Sequence, residues 1–190
     1  SVIVSYDIKN GKETSQTSFH PKKRNFWGAI PWSGSALDKN YGILYLSTGN
    51  PRPALVGINR PGNNHNSNSL IAIDLINNKI LWKFQEVSHD LWDYDIASPP
   101  ILTELKINNK ILEVVIVTTK IGNVLIFERR SGKPLFDINY SKAPASSIPG
   151  EISSAFQIDF QNHDDWPAHC QWMQEKLELL HRTFVARIQT

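Results

Sequence analysis

The densest chemistry in the chain lies in Ser88-His89-Asp90-Leu91-Trp92-Asp93-Tyr94-Asp95, which puts three carboxylates, an imidazole and two aromatic rings into eight positions. In an extended segment Asp93 and Asp95 share a face, near enough for one to raise the pKa of the other or for both to hold a cation. A hard cation such as calcium takes about six to eight oxygens, so two carboxylates are only part of a site. A solvated acidic turn with side-chain caps explains the same spacing, and both readings stay open at this level.

Three further residues are placed where chemistry is available. Asn50 ends the run Leu46-Ser47-Thr48-Gly49-Asn50, where its amide oxygen can serve a metal or make an Asx-turn. Trp32, in Ile30-Pro31-Trp32-Ser33-Gly34-Ser35, is either a core ring or a stacking platform. Lys120, in Thr118-Thr119-Lys120-Ile121-Gly122-Asn123, follows an apolar strand, where its ammonium binds an anionic ligand or caps the strand end in solvent.

The elements that must position these groups read as a repeat. Val4-Ser5-Tyr6-Asp7-Ile8-Lys9-Asn10-Gly11-Lys12, Ile71-Ala72-Ile73-Asp74-Leu75-Ile76-Asn77-Asn78-Lys79 and Leu125-Ile126-Phe127-Glu128-Arg129-Arg130-Ser131-Gly132-Lys133 each run from an apolar strand through an acidic residue to a turn and a Lys. Asn-Gly, Asn-Asn and Ser-Gly tolerate positive φ, so the spacing predicts a β-hairpin with a two-residue turn, used three times. An aromatic then recurs after the turn, Trp82 and Phe136, and is expected to pack between adjacent sheets. Asp7, Asp74 and Glu128 stand further apart than the ~40–45 residues of a WD40-type period, which requires insertions between radially repeated four-stranded blades. Gly42–Thr48 and Glu113–Thr119 are β-rich, Asn108-Asn109-Lys110 reads as another hairpin turn, and residues 51–68 read as a long polar loop. From about Glu175 the apolar spacing through Leu177, Leu180 and Phe184 predicts a short helix.

Composition narrows the class. Of 190 residues 41% are hydrophobic and 20% charged, with a formal net charge of +2 and no long apolar run, which fits a folded chain and neither a disordered polyelectrolyte nor a membrane span. Lys22-Lys23-Arg24 is the one basic triple, too little clustering for a nucleic-acid footprint. A single cysteine, Cys170, rules out an internal disulfide and a Cys-x-x-Cys site. The chain opens on a strand-like run without Met, so it is expected to be internal to a longer polypeptide.

In this order, Trp32, Thr48-Gly49-Asn50-Pro51, Asn68-Ser69-Leu70-Ile71-Ala72-Ile73-Asp74, Trp82-Lys83-Phe84-Gln85, His89-Asp90-Leu91-Trp92-Asp93-Tyr94-Asp95 and Lys120-Ile121-Gly122-Asn123 resemble the pyrroloquinoline quinone (PQQ)-dependent dehydrogenases. The likeness is nearest to the glucose and polyol dehydrogenase branch and covers residues 1–157; residues 158–190 form a divergent tail. It implies an all-β fold, with three to four blades of an eight-bladed quinoprotein propeller, and an enzyme that oxidises a sugar, polyol or alcohol by base-assisted hydride transfer to PQQ. It implies Asp93 as the catalytic base, Trp32 and Lys120 as PQQ-binding residues and Asn50 as a ligand to calcium. Asp95 is an additional metal ligand in alcohol-oxidising relatives that use a lanthanide, while the sugar-oxidising branch has an Asp there without that role. His89 and Asp90 would orient the catalytic loop.

The resemblance further implies a periplasmic protein, or one on the periplasmic face of the inner membrane, with ubiquinone or a cytochrome as electron acceptor. Membrane association would come through parts of the parent outside this chain. The acidic calcium ligand from an earlier blade is missing from this stretch, so the isolated chain is expected to be inactive and, with open sheet edges, poorly soluble. A non-catalytic propeller scaffold of the same ancestry would have no use for Asp93, Asn50 and Lys120 together.

Overall fold

The computed structural model describes residues 2–107, 109–142 and 156–158, all within one compact unit, Ser1–Ile158. The predicted helix beyond Glu175 lies outside the described residues. Among the described residues thirteen strands follow one another: β1 (Val2–Tyr6), β2 (Glu13–Ser18), β3 (Trp27–Gly28), β4 (Ser35–Asp38), β5 (Ile43–Ser47), β6 (Pro51–Arg52), β7 (Ser69–Asp74), β8 (Lys79–Gln85), β9 (Ile101–Ile107), β10 (Lys110–Thr118), β11 (Val124–Glu128), β12 (Tyr140–Lys142) and β13 (Phe156–Ile158). No helix occurs among the described residues.

The strands form antiparallel sheets whose order repeats. One sheet is a complete four-stranded blade, β4-β5-β7-β8, and the next runs β9-β10-β11 with a bridge from Phe127 to Pro134 where a fourth strand belongs. In both, three strands lead into the acidic turn and the chain then returns alongside the third. The β1-β2 hairpin occupies the same place in the pattern as β7-β8. The architecture is therefore all-β, a partial propeller whose sheets do not close into a ring among the described residues.

The turn geometry corrects one expectation. Tyr6 pairs with Glu13 and Asp74 with Lys79, so the acidic hairpins have longer connections than two residues. Positive φ falls only near the end of each connection, at Gly11, Asn78 and Gly132. The acidic residue explains the difference, because its side chain organises the extra residues: Asp7 accepts the Lys9 N–H at 2.7 Å, Asp74 accepts the Ile76 and Asn77 N–H groups at 2.9 Å, and Glu128 accepts the Ser131 hydroxyl at 2.7 Å. A carboxylate that satisfies free backbone donors makes a wider loop stable. The two-residue hairpin is found instead between β9 and β10, where Ile107 pairs with Lys110.

Strand β7 is an unbroken apolar run because both of its faces are covered. Leu70 and Ala72 join Ile43, Tyr45, Val115, Val117, Leu125 and Phe127 in the core between the two large sheets. Ile71 and Ile73 pack on the opposite side with Phe19, Leu46 and Ile3 of the first hairpin. Trp82 seals the first interface: its Nε1 donates to Arg129 O at 2.7 Å and its ring lies so close to Gly132 that a Cβ there would meet Cδ2 at 2.5 Å. Phe136, at the corresponding place one repeat later, is 63% exposed.

Candidate functional site

The sheets leave Asn50, Asp95 and Lys120 at their connections: Asn50 follows β5, the 88–95 segment follows β8, and Lys120 lies in the turn after β10. Residues 51–68, read from sequence as a long polar loop, form a loop that turns Arg60, Asn64, Asn66, Ser67 and Asn68 inward as a buried polar plug while Leu55, Val56 and Ile58 stay exposed. Arg60 organises it, donating from Nε to Pro53 O at 2.8 Å, from Nη1 to Asn64 Oδ1 at 2.6 Å and from Nη2 to Ala54 O at 2.9 Å. Nη2 also reaches Asp90 O, which joins the plug to the acidic segment. Buried polar chain persists only when its donors and acceptors are satisfied in this way.

Asn68 is the hub at the end of the plug. Its backbone N–H donates to Gly49 O at 2.9 Å, and its Nδ2 donates both to Asp90 Oδ2 and to Tyr94 O at 2.8 Å. Asp90 is buried and accepts the N–H groups of Trp92 and Tyr94 at 2.8 and 2.7 Å, so its carboxylate spans the residue between them. That residue is Asp93, held at φ 65°, a left-handed conformation that Asp tolerates, with its side chain 43% exposed. Burial pushes the Asp90 carboxyl up, against the lowering effect of these hydrogen bonds. His89 packs its ring against Gly57, where a Cβ would overlap it, and its Nδ1 lies 3.0 Å from Gly62 O.

Lys120 closes the arrangement. Its Nζ lies 2.7 Å from Asp93 Oδ2 and 2.5 Å from Asp95 Oδ2, and its backbone N–H donates to Asp95 O at 3.2 Å. Desolvation pulls the Lys120 ammonium down, but the hydrogen bonds and charges of Asp93 and Asp95 outweigh it and hold the pKa above the ordinary lysine value. Asp95 is only 6% exposed and through Oδ1 accepts the backbone N–H of Asn50.

Trp32 is not a core ring: it is 55% exposed, and its ring centroid lies 6.0 Å from the Lys120 Nζ. Between Trp32 and Asp95 runs Gly49, at which a Cβ would stand 2.7 Å from Asp95 Oδ1 and 2.8 Å from Trp32 Nε1. The structure thus brings Trp32, Asn50, Asp93, Asp95 and Lys120 into one continuous cluster. An exposed indole beside an ammonium and the accessible Asp93 carboxylate, with Asp95 buried behind them, can receive a flat molecule beside a hydroxyl-bearing one.

Residues 4–181 match the PQQ family described as glucose/ethanol/alcohol dehydrogenase, beta-propeller domain. The chain belongs to the PQQ β-propeller family. Among its relatives, quinoprotein glucose dehydrogenase A of Acinetobacter calcoaceticus is 33% identical over 160 residues, covering 75% of this chain and 19% of that protein. The glycerol dehydrogenase large subunit of Gluconobacter oxydans is 30% identical over 169 residues, covering 82% and 23%. The chain therefore spans about a fifth of the length of these PQQ-family relatives. A solved quinohemoprotein alcohol dehydrogenase from Pseudomonas putida HK5 has the same fold, with a TM-score of 0.62 at 22% identity over 87% of this chain and 28% of its own.

The residues present suit the cation this PQQ family implies, in part. The Asn50 carboxamide is buried and its Nδ2 has no hydrogen-bond partner. Turning the amide over would present Oδ1 at that place, the donor a hard cation takes. Among the described residues no group of three His, Cys, Asp or Glu side chains could hold a metal ion, so Asn50 and Asp95 alone would be only part of a ligand set. The supporting roles of Asn68, Arg60 and Gly49 are not read from the sequence, although Asn68 opens one of the quoted motifs. Arg60 had a signal, a lone long cation amid Asn, Pro and Gly, and Gly49 stood beside Asn50 in the quoted motif.

Proposed function

We propose that this chain is part of a periplasmic PQQ-dependent dehydrogenase that oxidises a sugar, polyol or alcohol, with Asp93 as its base. The observation that carries the reading is the bonding of Lys120 Nζ to both Asp93 and Asp95 beside the exposed Trp32 ring. Membership of a family with glucose and glycerol dehydrogenases supports the substrate class.

PQQ, when bound, would supply a two-electron acceptor for the hydride of the carbinol carbon. This chain's residues do the rest. Asp93 takes the substrate hydroxyl proton on a carboxylate oxygen, which leaves the oxidised carbonyl product. Lys120, kept protonated by its two carboxylates, supplies a fixed positive charge where negative charge develops. Trp32 offers an exposed flat face on which the cofactor would stack. Asn50 would hold calcium through its amide oxygen, with Asp95 as a further ligand if the cation is a lanthanide. Ubiquinone or a cytochrome would accept the electrons.

The test is Asp93→Asn in the full-length protein that carries this sequence. PQQ-dependent dye reduction with glucose, glycerol and simple alcohols is expected to vanish while PQQ still binds. Turnover that survives the change would remove Asp93 as the base.

A further inference from the structure

Glu86 is a fully buried carboxyl that the proposed reaction does not use. It follows β8 and stands between the two halves of the site. Its Oε1 accepts the Asn123 Nδ2 at 2.7 Å. Asn123 closes the turn that carries Lys120: its carbonyl accepts the Thr119 N–H at 3.0 Å, its own N–H reaches Thr119 Oγ1 at 3.3 Å, and Gly122 donates to Thr119 O at 3.0 Å. On its other side the Glu86 backbone N–H donates to Asn68 O at 2.9 Å, and Asn68 holds Asp90 and Tyr94 around Asp93.

We propose that Glu86 is a positioning residue, tying the Lys120 turn to the Asp93 segment and so fixing where the Lys120 ammonium stands. Besides this tie, the turn meets the acidic segment through Lys120 itself, by its N–H to Asp95 O and its Nζ to Asp93 and Asp95, and all three bonds lie at the start of the turn and none at its far end. Glu86 anchors that far end. The side chain serves the turn as an acceptor, for the Asn123 amide and for the Thr119 hydroxyl, while burial pushes its carboxyl up to about 7, with the Asp90 charge adding to the rise and the two hydrogen bonds opposing it. A glutamine therefore supplies the same bond, whereas an alanine leaves the Asn123 amide unpaired in the interior. The inference rests on the reading that Lys120 serves the cofactor.

The experiment compares the full-length protein with E86A, E86Q, T119V and K120A. The rate at which an amine-acylating reagent modifies Lys120, read by peptide mass spectrometry without PQQ, reports the turn directly, and an absorbance titration reports PQQ affinity. Folding is checked by circular dichroism. In E86A and T119V, Lys120 is expected to react about three- to tenfold faster, the factor one lost hydrogen bond supplies, with weaker PQQ binding, while E86Q stays near the parent. Unchanged Lys120 reactivity in a folded E86A would overturn the proposal. If E86A does not fold, the isosteric T119V decides by the same criterion. K120A separates the two readings: if it leaves PQQ binding and turnover intact, the role of Lys120 in the reaction fails while the acylation result still judges Glu86.

Discussion

Lys120 Nζ sits 2.5 Å from Asp95 Oδ2, a carboxylate almost wholly withdrawn from solvent, so the cation satisfies a charge that water cannot reach. Removing one partner of such a pair costs more than the pair contributes, because the survivor stays in the interior without its counter-charge. Lys120→Met is expected to lower stability by about 1–3 kcal/mol, and adding Asp95→Asn to it should recover part of that loss. Urea denaturation of the single and double variants measures both.

Gly49 has an ordinary backbone conformation, so any penalty for a side chain there is steric. A Cβ would stand 2.7 Å from Asp95 Oδ1 and 2.8 Å from Trp32 Nε1, and at least one of them must move. Gly49→Ala is expected to cost about 1–3 kcal/mol and to shift the Trp32 ring. A Trp32→Phe background, in which the fluorescence change on Gly49→Ala is lost, identifies the ring that moved.

The Glu86 carboxyl rises from 4.5 to about 7 on folding. Between those values the folded protein holds a proton that the unfolded chain has released, so stability falls as pH rises through this window and levels off above about 7. The span amounts to roughly 3 kcal/mol at most. His20 acts oppositely: burial lowers it from 6.5 to about 4, so stability falls as pH drops through that range. Glu86→Gln should flatten the upper fall and His20→Gln the acid one, as read from unfolding midpoints between pH 4 and pH 8.

Asn68 joins three segments through one carboxamide and one backbone N–H. Asn68→Ala removes the bonds to Asp90 and Tyr94 and should cost about 2–3 kcal/mol. It should also speed hydrogen exchange at the Trp92 and Tyr94 amides, which rest on the Asp90 carboxylate. Unchanged exchange there would mean that Asp90 holds the loop without Asn68.

What the sequence made legible was governed by local rules. The repeat of acidic turns and the apolar runs of β5, β7 and β10 follow from alternation and turn chemistry acting over a few residues. The residues of the site were legible as types, since Asn50 and Lys120 follow strands, Asp93 and Asp95 lie in a dense acidic cluster and Trp32 sits in a turn-rich connection. Their supports were not. The length of the acidic turns depends on where a carboxylate's hydrogen bonds go, and the inward turn of the polar core of the 51–68 loop depends on Arg60 finding carbonyls at Pro53, Ala54 and Asp90. Asn68 and Glu86 act through partners far away in sequence, which no spacing rule reports.

The two-sided burial of β7 gives sequence neighbours separate mechanical fates. Ile71 answers to Phe19 and the first hairpin, Ala72 to Trp82 and the following sheet. Damage at one position should therefore leave the packing beyond the other undisturbed, and this central strand works as a party wall between compartments that can drift apart in evolution at different rates.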